Sequence, residues 1–103
     1  MIPELKTTDP TIETVEKEVI PTLRFPTEDV LTDKAEIQRR RHDAERAATL
    51  GNAYHGKLDI YFQTADGSVK RVYTTVWATH EEYLTLKSGI SLPLRAVLSF
   101  DFY

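Results

Sequence analysis

Residues 56–103, GKLDIYFQTADGSVKRVYTTVWATHEEYLTLKSGISLPLRAVLSFDFY, hold most of the large apolar side chains of the chain. Apolar residues alternate with polar ones along them: Leu58, Ile60 and Phe62; Val72, Val76 and Ala78, with Thr74 between; Leu84 and Leu86; Ile90, Leu92 and Leu94. A period of two, interrupted at Asp66-Gly67 and Ser88-Gly89, describes short antiparallel strands with one buried face. The pattern predicts five strands, at about 57–64, 69–79, 82–87, 90–92 and 97–102. A strand as long as 69–79 cannot stay flat in a small sheet, so a bend is expected near Thr74-Thr75. Pro93 has no N–H for a ladder, and Leu94-Arg95-Ala96 after it predicts one tight helical turn.

Working outward, residues 34–50 contain neither Gly nor Pro and read as a helix. Asp33 is the expected N-cap, with Glu36 three residues on approximating a capping box. Gly51-Asn52 is the expected left-handed stop. Glu36/Arg40, Arg39/Asp43 and Arg41/Glu45 are opposite charges four apart, each adding a few tenths of a kcal/mol. The expected buried stripe, Ile37, Ala44, Ala47 and Ala48, is narrow and made mostly of small residues. Such a helix suits close packing on a sheet or on an identical helix.

The first 31 residues read as an acidic arm interrupted by Pro3, Pro10, Pro21 and Pro26. Thr11–Ile20 could form a short amphipathic helix with Ile12, Val15 and Val19 on one side, opened by Asp9-Pro10 and stopped by Pro21; disorder is the alternative. The domain division is then an arm, 1–31, and a helix plus small β-barrel, 32–103. The core occupies only about half the chain, so the helix, or a second copy of the chain, is expected to cover part of the barrel.

A helix, five short strands with the second long and bent, and one turn before the last is the order of the Sm-like and SH3-like barrels. The run TTVWATHEEYLTLKSGISLPLRAV resembles small bacterial proteins sharing the pattern W-A-x-x-x-x-x-L-x-L-K-x-G-I-x-[IL]-P. More distantly, the strand order resembles the Sm-like barrel of the Rho-inhibiting antiterminator family and WYL-type ligand-binding domains. The resemblance covers residues 33–103 at most, on turn and core positions. It implies a mainly β fold with one N-terminal helix and a small five-stranded antiparallel barrel, and no activity.

Composition narrows the function classes. There is no cysteine, which removes disulfides, thiolate nucleophiles and cysteine-based zinc sites and suits a reducing cytoplasm. The first residues lack a secretory leader pattern, and no apolar run approaches the ~20 residues of a membrane span. Charge is uneven: residues 1–33 carry three basic and eight acidic side chains, 34–48 five and three, 49–103 five of each. A net-acidic chain is a poor candidate for non-specific DNA binding, which depends on phosphate neutralisation.

His42, His55 and His80 lie far apart without ligand spacing, so no metal is expected. His80-Glu81-Glu82 reads as a polar turn. Phosphate loops and nucleophile elbows are missing, and neither an enzyme, a cofactor nor a small-molecule substrate is expected. Two surfaces stand out. One is the basic helix run Arg39, Arg40, Arg41 and Arg46. The other is the outward alternation of Tyr61 on one strand and Tyr73, Thr75 and Trp77 on the next, with Lys57, Lys70 and Arg71 nearby. Each also has a plain packing explanation, as a solvated helix face and as cross-strand pairs. The expectation is a non-catalytic interaction module that self-associates or binds a protein, with an RNA-binding regulator of the Sm-like kind as the alternative.

Overall fold

The computed structural model describes residues 12–103; the Asp9-Pro10 helix start lies outside the described residues. Among the described residues the chain is mainly β with one α-helix. Seven strands, β1 (Glu13–Thr14), β2 (Leu58–Gln63), β3 (Val69–Thr74), β4 (Val76–Thr79), β5 (Tyr83–Leu86), β6 (Ser91–Pro93) and β7 (Val97–Asp101), accompany helix α1 (Lys34–Tyr54). They form two sheets, β1-β3-β2-β7 and β4-β5-β6.

This corrects the expected five-stranded closed barrel. Among the described residues no ladder joins β6 to β7, so the sheets remain separate. The long strand does break where its length demanded, at Thr75, sending β3 to one sheet and β4 to the other. Pro93 ends β6, and Leu94–Ala96 makes the single 3₁₀ turn before β7. The β2–β3 hairpin turns at Asp66-Gly67, where Asp66 Oδ1 accepts from Thr64 Oγ1 at 2.6 Å and the Ser68 N–H at 3.0 Å. These bonds hold the Asp66 carboxyl down to about 2.

The alternation set the core. Leu58, Ile60, Phe62, Val72, Val76, Leu84, Leu86, Leu92 and Leu94 point between the sheets with Val97. Helix α1 packs against β4 and β7, an edge strand of each sheet, and so bridges them. Its buried residues are Arg40, Ala44, Ala47, Ala48 and Gly51; the three alanines of the expected stripe are among them, whereas Ile37 is only half-buried and packs against the smaller core of Leu31, Tyr61 and Leu98. Asp33 caps it, with its Oδ1 accepting from the Ala35 N–H at 3.0 Å.

Gly51 does not stop the helix. It lies inside it, and the left-handed residue is His55 (φ 54), whose N–H donates to the Gly51 carbonyl. Gly51 instead answers to contact: a Cβ there would stand 2.0 Å from the Val76 carbonyl oxygen. The absence of a side chain lets the helix touch the backbone at the strand bend.

The arm segment forms no amphipathic helix. Glu13–Thr14 runs parallel to Lys70 and Arg71, the Val15 N–H donates to the Arg71 carbonyl at 2.8 Å, and Lys17–Thr22 makes a 3₁₀ turn. β-Branched residues and Pro21 make a poor helix, while the β3 edge offers unpaired hydrogen-bonding groups. The turn packs against β3 and β6 and inserts Ile20, fully buried, into the core. The turn thus spans both sheets, since β3 belongs to one and β6 to the other. Further on, Phe25 meets Phe62 at 6.1 Å between ring centroids, and the Arg24 carbonyl accepts from the Ala65 N–H.

Candidate interaction surface

The basic helix run is divided by the fold. Arg40 is 5% exposed. Its Nη1 donates to Asp29 Oδ1 (2.8 Å) and to the Val97 carbonyl (3.0 Å), and its Nη2 to Asp29 Oδ2 (2.6 Å). This fork ties the end of the arm to α1 and satisfies a carbonyl at the start of β7. Burial opposes ionisation of Asp29, but the hydrogen bonds from Arg40 and the Leu31 N–H outweigh it, and the carboxyl lies below its ordinary value. Arg41 donates to the Glu81 carbonyl at 2.9 Å, and the Arg46 guanidinium sits 4.0 Å above the Phe102 ring. Arg39 is exposed. Arg40, therefore, is not presented at a surface, and two of its neighbours hold intramolecular contacts.

The strand set is brought together more closely. Across the β2–β3 ladder Tyr61 faces Arg71 and Asp59 faces Tyr73. Tyr61 is buried among Leu31, Leu98, Ile12, Val30, Ile37 and Val69, which form a second small core under the arm; burial pushes its phenol up. Lys70 pairs with Glu13 (2.6 Å), and Arg71 Nη2 donates to Thr14 Oγ1 (2.6 Å). Tyr73 and Trp77 keep 51% and 46% of their surface exposed. Trp77 belongs to a different sheet from the two tyrosines: it stands on β4, where the β4–β5 register shifts between Val76 and Ala78.

Around Tyr73 the surface forms a shallow depression lined by Thr14, Asp59, Arg71, Tyr73 and Tyr103. Asp59 is 2% exposed and accepts a hydrogen bond from the Tyr103 hydroxyl. That bond, with a smaller contribution from burial, pushes the Tyr103 phenol up to about 12. Arg71 Nε stands 3.8 Å from the other Asp59 oxygen. The rings of Tyr73 and Tyr103 meet edge to face at 5.7 Å, and the Lys57 ammonium lies 5.7 Å from the Tyr73 centroid. Asp59 and Tyr103 escaped the sequence reading. The available signal was a carboxylate amid the apolar residues of Leu58–Phe62, but its partner lies 44 positions away.

His80 contacts Thr85 Oγ1 (3.1 Å) and stacks on Tyr83 (4.4 Å). Among the described residues there is no group of three His, Cys, Asp or Glu side chains placed to hold a metal ion, and no helix long and apolar enough to cross a membrane.

The chain matches no family model, no curated protein and no solved structure. What the surface does must be argued from its own geometry.

Proposed function

We propose that the chain is a non-catalytic binding module making protein–protein contacts, with a partner or with its own copy, through the Tyr73–Trp77 side of the bent strand. The observation that carries this reading is that Tyr73 and Trp77, on either side of the bend, leave about half of their surface in solvent. Trp and Tyr are enriched where interfaces concentrate their binding energy. Tyr103 beside Tyr73 widens the patch beyond the single exposed rings that need no explanation. In finer terms we read the two sheets as an opened Sm-like barrel, with β3 and β4 as its long bent strand. The cysteine-free composition supports action in the cytoplasm.

Light scattering over a wide concentration range tests the reading on the wild type and a Tyr73→Ala/Trp77→Ala variant. Concentration-dependent association that the variant loses supports it. A clean monomer at high concentration removes self-association.

One observation favours a second reading, single-stranded RNA binding: Lys57 beside the half-exposed Tyr73 ring, with Arg71 on the same face. Trp77 fluorescence, followed during titration with single-stranded RNA at low and moderate salt, separates the two. Absence of binding at low salt sinks the RNA reading.

A further inference from the structure

The Asp59 depression pairs a deeply buried carboxylate with a solvent-exposed partner. Asp59 is 2% exposed, whereas the side chain that donates to it, Tyr103, is 78% exposed. Packing therefore contributes little to keeping the phenol in place. The remaining cation, Arg71, stands 3.8 Å from Asp59 Oδ1, beyond hydrogen-bond distance. Directly across the β2–β7 ladder from Asp59 is Asp101, and like charges so placed destabilise a sheet. The half-exposed Tyr73 ring forms one wall and already holds the Lys57 ammonium 5.7 Å from its centroid. A ligand suited to this place is flat and cationic, and carries N–H donors for a carboxylate. A guanidinium meets all three demands: it replaces the neutral phenol by charge-assisted hydrogen bonds and stacks on an aromatic ring.

We infer that the depression is a receptor for an arginine side chain of a protein partner, with Tyr103 as the plug that the arginine displaces. The inference rests on the protein-binding reading above and names the group that reading would recognise. It assigns Asp59 to bind the guanidinium, Tyr73 to stack on it, and Arg71 to stand beside the Asp59 carboxylate at 3.8 Å while the site is empty. A carboxylate floor does not suit a phosphate, which sets this site apart from the RNA reading.

The test uses the full chain and a short acetylated and amidated Gly-Arg-Gly peptide, with the isosteric citrulline peptide as the uncharged control. Binding is followed by backbone amide chemical shifts. The arginine peptide is expected to move the amides of Asp59, Tyr73 and Tyr103, and the citrulline peptide to leave them still. Tyr103→Ala, which opens the plug without touching the carboxylate, is expected to bind the arginine peptide at least about threefold more tightly. Asp59→Asn is expected to weaken binding about tenfold or more. If Asp59→Asn fails to fold, the Tyr103→Ala comparison decides alone. Equal binding of both peptides, no shift with either protein, or no gain from Tyr103→Ala overturns the inference. Loss of association on removing Tyr73 and Trp77 is a separate result: if it is seen while the peptide fails, the binding module stands and only its arginine site falls.

Discussion

The Gly51 Cα lies so near the strand bend that a Cβ on it would be 2.0 Å from the Val76 carbonyl oxygen and 2.9 Å from Thr75 Cγ2. Backbone cannot yield as a flexible side chain would. Gly51→Ala should lift the C-terminal half of α1 off β4. Alanine's helix propensity returns about 1 kcal/mol, but overpacking of this severity costs about 3 kcal/mol. A net loss of about 2 kcal/mol is expected, read as a fall in the urea midpoint at unchanged slope. Unchanged stability would show that the helix does not rest on the bend.

Arg40 and Arg39 are adjacent in sequence and opposite in role. Arg40→Met leaves the Asp29 carboxylate with the Leu31 N–H alone and takes the guanidinium from the buried Val97 carbonyl, and about 2 kcal/mol should be lost, chiefly at that carbonyl because Asp29 keeps a third of its side chain in solvent. Arg39→Ala, at an exposed position, should stay within about 0.5 kcal/mol. Equal effects would restore the uniform basic face.

The same pair governs acid stability. The Asp29 carboxyl is held below its unfolded value, so its contribution is present above the unfolded pKa of 3.8 and is lost as pH falls through the lower folded value. Wild-type stability should decline on acidification in that window, and the difference between wild type and Arg40→Met should shrink there. Denaturant titrations between pH 5 and about 2 would measure it.

At the alkaline end the sign reverses. The Tyr103 phenol is raised from 10.0 to about 12, so the stability it contributes is whole below pH 10 and is lost as pH rises through about 12. Tyr103→Phe should remove this alkaline limb, together with one high-pH step in phenolate absorbance. A Tyr103 that titrates near 10 would show that the bond to Asp59 does not persist in solution.

Ile20 is the side chain that fastens the arm. Ile20→Ala should cost about 2–5 kcal/mol, the range for emptying a buried aliphatic site. It should also release the β1 amides to hydrogen exchange ahead of those of β2. The neighbouring Val19, which is exposed, should tolerate alanine.

Much of the sheet structure was legible because it follows local rules. Alternation located core residues in β2 to β6, Asp66-Gly67 set the first hairpin, and the length of Val69–Thr79 required the break found at Thr75. The Asp33 cap and the alanine stripe of α1 were legible for the same reason. Gly51 was misread because a glycine required by contact and a glycine required by positive φ look alike in a sequence. Thr11–Ile20 was misread because Ile12, Val15 and Val19 fit a helical spacing while the segment gains more from the β3 edge and the core. Within the candidate surface, the spacing of Tyr61, Tyr73 and Trp77 marked outward alternation but could not say that the arm covers Tyr61 and leaves Tyr73 bare.

The sequence by itself determined which residues alternate, where the chain turns and where the helix begins, since each depends on neighbours a few positions away. Tertiary structure alone decided that the sheets stay apart, with α1 across one pair of strands and the Ile20 turn across another. It alone paired Arg40 with Asp29, and Asp59 with Tyr103. Those outcomes depend on groups 11 and 44 residues apart, and their competition for buried space and hydrogen-bond partners is settled only once the chain has closed on itself.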